Sequence, residues 1–152
     1  MDDPQITATL QAEYLHLQKT IEDFDSRALT IKAWSITFSL TVVVGAFASQ
    51  KNTVLLVASG ASLLFWFLET MWKVFQLGYY ARVQEIEAFF RKESKKMAPN
   101  QIYASWMKSW NNTPWSEVFS MSLWPHVALP HVAVALTGVL LFALVHIGVL
   151  SL

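Results

Sequence analysis

Three long stretches of the chain contain no Asp, Glu, Lys or Arg: residues 33–50, 52–68 and 118–152. A helix that crosses the hydrocarbon core of a bilayer needs roughly 20 predominantly apolar residues, with a range of about 17–25. Each stretch is long enough, and the third is the most apolar because Val, Leu, Ile and Phe dominate its second half. The pattern predicts transmembrane helices at residues 33–50, 52–68 and 130–150.

The polar segment before the first span has a heptad pattern. Its apolar residues recur at alternating spacings of four and three, at Leu10, Tyr14, Leu17, Ile21, Phe24, Ala28 and Ile31. Such residues occupy the a and d positions of a coiled-coil seam. Residues 4–32 are therefore predicted to form an amphipathic helix that packs against a partner helix.

A second apolar stripe follows the second span without a break, at Leu68, Trp72, Phe75, Tyr79, Val83, Ile86 and Phe90. No proline interrupts this pattern before Pro99. We therefore expect the helix of the second span to continue to about residue 97, antiparallel to the first helix. The residues expected to pack in the seam, within one chain or between chains, are Leu17, Ile21, Phe24, Trp72, Phe75, Tyr79 and Phe90.

Residues 98–128 have a different composition. Four tryptophans concentrate here, at Trp106, Trp110, Trp115 and Trp124, between segments rich in Pro and Asn. Because Trp rings favour the membrane–water interface, this part is predicted to be a return segment with an interfacial helix.

The distribution of Lys and Arg predicts the orientation of the spans, since basic residues are enriched in cytoplasmic segments. The N-terminal segment, the first turn and the 69–117 segment contain three, one and seven such residues: Lys19, Arg27 and Lys32; Lys51; and Lys73, Arg82, Arg91, Lys92, Lys95, Lys96 and Lys108. The N-terminus and the helical hairpin extension are therefore expected in the cytoplasm and the C-terminus outside.

Composition agrees with an integral membrane protein. Hydrophobic residues make up 54% and charged residues 14% of the chain, against about 45–50% and about 25% in soluble domains. The net charge of zero gives no electrostatic reason to expect a nucleic-acid partner. The predicted fold is all-α: a polytopic membrane protein with three transmembrane helices and a long cytoplasmic antiparallel helical hairpin.

Candidate catalytic chemistry is sparse. The chain has no Cys, no phosphate-binding Gly-rich loop and no G-x-S-x-G motif. His126 and His131 are five residues apart across Pro130, which is not the spacing of a helical metal-ligand pair. We expect no enzyme, metal or cofactor; His126, His131 and His146 are interpreted as packing residues, with a metal or proton-sensing role left open.

The first span carries small and polar residues at four-residue spacing: Thr37, Thr41, Gly45 and Ser49. Such a face allows close helix approach; in a ring of protomers it would instead line a weakly polar pore. Glu69, at the end of the second span, would form a charged ring in that pore or pair with Lys73.

Residues 12–93 combine an amphipathic helix, two spans with a short turn, and a long exit helix. The exit helix contains Trp72-Lys73-Val74-Phe75, Tyr79-Tyr80-Ala81-Arg82 and Glu85-Ile86-Glu87-Ala88-Phe89-Phe90. In this layout they resemble the SLATT family of two-transmembrane modules, and the resemblance implies a membrane-perforating effector of a prokaryotic conflict system. The resemblance implies a location in a prokaryotic cytoplasmic membrane and defines no catalytic residues.

We therefore expect a homo-oligomeric membrane pore or ion channel. The alternative is a non-catalytic membrane anchor or accessory subunit that docks a cytoplasmic protein through its coiled-coil helices. The expected partners are membrane lipid, further copies of the chain and, in the alternative, that cytoplasmic protein.

Overall fold

A computed structural model describes residues 4–93 and 97–151. Within this part the chain forms five helices, α1 (Pro4–Ser49), α2 (Val54–Phe90), α3 (Ile102–Asn112), α4 (Trp115–Ser122) and α5 (Pro125–His146). No strand occurs among the described residues. The predicted all-helical fold is confirmed.

The two longest helices, α1 and α2, form an antiparallel hairpin. A short turn joins them, and Gln50 takes the left-handed conformation there with φ 54°. The Lys51 amide donates back to the Ala46 carbonyl, which closes the end of α1. In both helices the half next to the turn is free of charged residues, and the charged residues lie in the other half.

The helix α2 ends at Phe90, earlier than the expected end near residue 97. Lys92 has a left-handed φ of 63°, which stops the helix and lets its amide donate to the Phe89 carbonyl. Heptad spacing alone did not reveal this stop, because Lys is not the Gly or Asn that usually marks it.

Residues 4–31 of α1 and 70–90 of α2, the hairpin extension, enclose their own apolar core. Its buried members come from both helices: Leu10, Leu17, Ile21, Val83, Ile86 and Phe89. The seam therefore closes within one chain.

A buried ion pair crosses the same core. The Arg82 guanidinium donates to both Glu13 carboxylate oxygens, with Nε 2.8 Å from Oε1 and Nη2 3.2 Å from Oε2. Glu13 also accepts from the Asn100 amide at 2.7 Å, and Arg82 donates to the Ala98 carbonyl at 2.8 Å. These bonds tie the return segment to the hairpin extension.

The return segment folds back along α2. Trp106 of α3 covers Gly78, where a Cβ would lie 2.7 Å from the indole ring, and its indole donates to the Phe75 carbonyl at 3.0 Å. Trp110 stacks on Trp106 with ring centroids 5.8 Å apart. These two tryptophans pack on α2, where Gly78 leaves room for a ring; their expected position at a membrane interface stays a prediction.

Three helices, α1, α2 and α5, contain stretches long and apolar enough to cross a membrane. The helix α5 begins at Pro125 and continues through Pro130, so it starts earlier than the expected 130–150 and ends at His146. Pro125 suits the first helical position, and Pro130 removes only one backbone bond near that end. Gly138 of α5 lies against Ser59 and the Leu55 carbonyl of α2, so the two backbones approach closely.

Candidate functional site

A buried cluster of polar side chains joins the three apolar helices. Lys32 and Ser35 lie one turn apart on α1, Glu69 is on α2, and His131 is on α5. Lys32 directly precedes the first apolar stretch and Glu69 directly follows the second. Because α1 and α2 are antiparallel, these two residues lie side by side. The start of α5 then packs on both.

The four side chains form one hydrogen-bonded chain. The Lys32 ammonium donates to Oε1 of Glu69, and Oε2 of Glu69 lies 2.9 Å from Nε2 of His131. Nδ1 of His131 lies 3.1 Å from the Ser35 hydroxyl. Glu69 is 2% exposed and His131 is fully buried, so the cluster is an internal feature of the helix bundle.

The partners assign the proton positions. An ionised carboxylate only accepts hydrogen bonds, so Nε2 of His131 carries the proton that points to Glu69. In the neutral imidazole Nδ1 then accepts from the Ser35 hydroxyl. With this tautomer the positive charge of Lys32 and the negative charge of Glu69 cancel, and the buried charge has its compensating partner.

A cavity of about 280 Å³ leads from the hairpin extension to this cluster. Its lining includes Asp25, Lys32, Glu69, Lys73 and His126. Burial alone would raise the pKa of Asp25, but the hydrogen bond from Gln76 and the charge of Lys73 outweigh it, and the pKa is lowered. Two acidic and two basic side chains therefore line the cavity, and their formal charges cancel.

Serine hydroxyls connect the same three helices further along the apolar half. Ser62 of α2 donates to the His131 carbonyl at 2.7 Å, and Ser59 donates to the Ala135 carbonyl at 2.9 Å. Ser39 of α1 donates to the Ala58 carbonyl at 3.4 Å. Such bonds between apolar helices hold them together where no water competes.

The predicted pore face lies elsewhere. Thr37, Thr41, Gly45 and Ser49 are all exposed and turned away from α2 and α5. Thr41 satisfies its hydroxyl by donating to the Thr37 carbonyl at 2.9 Å. The inward face of α1 consists of Ser35, Ser39 and Ala46 instead, so the four-residue stripe does not pack within the chain.

Glu69 is separated from that stripe. It is buried against Lys32 and His131, whereas the predicted helical partner Lys73 bonds Asp25 at 3.3 Å. The i,i+4 spacing of Glu69 and Lys73 did not become an ion pair, because partners on neighbouring helices are nearer to both.

The predicted seam residues are largely brought together. Leu17 and Ile21 are buried. The ring of Phe24 lies 4.7 Å from Trp72 and 5.7 Å from Tyr79.

The remaining two predicted seam residues, Phe75 and Phe90, lie outside the buried core of the seam. The ring of Phe75 faces Trp110 of α3 at 5.2 Å, so it packs beside the seam. Phe90 is 43% exposed, and the adjacent Phe89, 9% exposed, takes its place in the core. The helix ends here, and the last turn presents the neighbouring residue to α1.

Sequence reasoning did not identify Lys32, Ser35 and His131 as one site. The available signal was the ionisable residue itself: a histidine within a long charge-free stretch is rare and usually has a partner. The other two candidate histidines, His126 and His146, are exposed. Within residues 4–93 and 97–151 no three His, Asp or Glu side chains come together to hold a metal ion.

The cluster has a structural role that its geometry shows directly. Its hydrogen bonds connect side chains of α1, α2 and α5 and so hold the three helices in one register. Comparison of the chain with family models, with curated proteins and with solved structures gives no match.

Proposed function

We propose that the protein is a homo-oligomeric membrane pore. In this proposal α1, α2 and α5 of each protomer cross the bilayer, and the face formed by Thr37, Thr41, Gly45 and Ser49 borders the conducting path. The observation that carries the proposal is that this weakly polar face points outward from a closed helix bundle.

The interior of one protomer is closed at the end next to the α1–α2 turn. In the described part of the chain every buried side-chain nitrogen and oxygen has a hydrogen-bond partner. Toward the α1–α2 turn the interior is closed by Ala46 and Leu55, both fully buried. A conducting path must therefore run between protomers.

The outward surfaces of the first two apolar stretches differ. Every exposed residue of α2 between positions 54 and 68 is apolar or glycine, which suits contact with lipid. The outward face of α1 also exposes large apolar side chains, such as Leu40 and Val44. Unlike the face of α2, it adds the hydroxyls of Thr37, Thr41 and Ser49, and we assign this more polar surface to the pore. The buried Lys32–Glu69–His131 cluster supports this arrangement, because it locks the orientation of α1 relative to α2 and α5.

The resemblance to SLATT modules supports the same function. It suggests a membrane-permeabilising effector of a prokaryotic defence system, with the hairpin extension in the cytoplasm as the part that receives a stimulus. The third apolar helix, α5, then belongs to each protomer as a support for the first two.

Thr41→Leu tests the proposal. Leu is compatible with a helix and with lipid, so the protomer should fold, but a larger apolar side chain in a narrow aqueous path should narrow it and favour dewetting. We expect the oligomer mass in detergent to be unchanged and leakage from protein-containing liposomes to fall severalfold.

Thr137→Leu is the matched control. Thr137 of α5 is also exposed and donates to its own i−4 carbonyl, at 2.8 Å, but lies outside the proposed pore face. Its replacement should leave leakage unchanged. Intact oligomers of Thr41→Leu that leak like the wild type would remove this face from any pore, and loss of the oligomer would assign it to helix packing.

A membrane-anchored accessory subunit is the second candidate. It is favoured by apolar side chains that the hairpin extension and α3 leave exposed, Leu15 at 61% and Tyr103 at 73%. Such a subunit would be monomeric in detergent and would gain order only with a protein partner, whereas the pore requires a discrete oligomer by itself.

A further inference from the structure

Two cavities adjoin along one side of α2. The first has a volume of about 480 Å³ and lies between α2 and α4. Its walls are large apolar side chains from both helices: Leu63, Trp66, Phe67, Trp115, Val118 and Phe119. On α2 these residues lie at the end of the charge-free stretch, where a membrane-spanning helix would leave the hydrocarbon core.

The polar groups at this first cavity are already used. The Trp66 indole donates to the Ser122 carbonyl at 2.8 Å, and the Thr70 hydroxyl donates to the Trp66 carbonyl at 2.9 Å. No charged side chain lines the cavity. A ligand that fills it must therefore be apolar, because a polar group would lose its water without gaining a partner.

The second cavity, of about 270 Å³, lies one turn further along α2. Trp115 and Val118 form part of its wall as well, so the two cavities share one boundary. Here the lining includes Asn111 and Thr113. The Thr113 hydroxyl donates to the Ser109 carbonyl at 2.9 Å and can still accept a hydrogen bond. This cavity can form hydrogen bonds but has no charged side chain to attract an ion.

We propose that the two cavities together bind one membrane lipid. The acyl chain lies between Trp66 and Phe119, and the uncharged glycerol-ester region lies beside Asn111 and Thr113. The order of the cavities carries this assignment: the apolar one is next to the charge-free half of α2 and the polar one is next to the hairpin extension. A bilayer lipid presents its chain and its ester region in the same order.

A bound lipid would also cover two aromatic rings that α4 leaves exposed. Trp115 is 75% exposed and Phe119 is 67% exposed, and a chain in the cavity would cover one side of each ring. The proposal requires that α2 crosses a membrane but not that the protein conducts, so it can fail while the pore proposal stands, and the reverse.

The test uses phosphatidylcholine with a photoreactive diazirine in one acyl chain, added at increasing mole fraction to the full-length protein in detergent micelles. After irradiation, labelled peptides are mapped by mass spectrometry. We expect saturable labelling of residues 63–70 and 115–122. Labelling of the exposed α5 residues Leu136 and Leu140 should rise linearly, because lipid there is unbound.

Val118→Trp should abolish the saturable component, because the added ring fills the boundary shared by both cavities. Leu136→Trp, which adds a ring on the exposed surface of α5, is the control and should leave it intact. Phe119→Ala gives a second variant at an exposed position, where folding is not at risk, and should raise the lipid concentration for half-saturation.

Several results would overturn the proposal. One is linear labelling at both surfaces, and another is saturable labelling that persists in a folded Val118→Trp. If Val118→Trp fails to fold, an unchanged half-saturation in Phe119→Ala is decisive. Crosslinks from α4 to a second copy of the chain, in place of lipid adducts, would assign the two cavities to an oligomer contact.

Discussion

Buried charged side chains are the individual residues with the largest expected effect on stability. Glu13 is 5% exposed and Arg82 is 3% exposed, and each bonds the other and the return segment. Removing one partner leaves a buried charge uncompensated, at a cost of about 3–5 kcal/mol, whereas replacing both by apolar residues is often neutral.

Glu13→Leu and Arg82→Met should each lower the free energy of unfolding by roughly 3 kcal/mol or more. The double variant Glu13→Leu/Arg82→Met should recover much of the loss. Denaturation followed by circular dichroism measures all three. Arg91→Met, at an exposed ion pair, is the control and should have little effect; additive losses in the double variant would contradict the buried-pair interpretation.

The same pair predicts a dependence on pH. Burial alone would raise the pKa of Glu13, but the hydrogen bonds from Arg82 and from the Asn100 amide outweigh it, so the folded pKa lies below the ordinary 4.5. The stabilisation is present above that ordinary value and is lost as the pH falls through the lower folded pKa. Wild-type stability should therefore decline on acidification below 4.5, and Glu13→Gln should decline less.

Lys32 and Glu69 should be energetically coupled. In a double-mutant cycle with Lys32→Met and Glu69→Gln, we expect a coupling of about 0.5–3 kcal/mol, the range for residues in direct contact. Unfolding by SDS in mixed micelles supplies the four free energies. The exposed pair Arg91 and Glu93 should show no measurable coupling in the same assay, because water screens it; equal coupling in both cycles would mean that the Lys32–Glu69 contact is not buried.

At the scale of helices, the hairpin extension depends on the seam between α1 and α2. Ile21 is 8% exposed within the seam, and Lys19 points outward. Ile21→Asp should cost roughly 3 kcal/mol or more, because it places an unpaired carboxylate in the apolar core. Lys19→Glu should matter far less. Thermal melting of the two variants compares them, and equal losses would show that the heptad register is misassigned.

Heptad spacing located this seam well over most of its length. It correctly assigned Leu17, Ile21, Val83 and Ile86 to the core, because the helices here are long and their apolar stripes are continuous. It failed at Phe90, where the helix ends and the stripe loses its register. It also omitted Glu13 and Arg82, since charged residues enter a core only as a pair that sequence spacing does not reveal.

At the scale of the whole molecule, the positions of Lys and Arg predict the orientation of the three apolar helices. A reporter fused near Asn100 should be active in the cytoplasm and one fused after Leu152 should be active outside. Paired alkaline phosphatase and fluorescent protein fusions measure this. If both sites report the same compartment, α5 does not cross the membrane.

The sequence by itself determined the number of long helices and the location of the three apolar stretches. Both are local properties: hydrophobic periodicity and freedom from charge act within a single helix and need no knowledge of its neighbours. The same holds for the antiparallel hairpin, because a turn of a few residues between two long helices leaves the chain no other direction.

Only the tertiary structure decided which face of the apolar half of α1 is buried. On α1 the stripe of Thr37 and Thr41 and the stripe of Ser35 and Ser39 are equally plausible packing faces, since both are small and polar. The choice depends on Glu69 and on His131, which is 62 residues beyond Glu69 in the chain. A buried charge is stable only beside its partners, and their meeting is a property of three packed helices that no single helix contains.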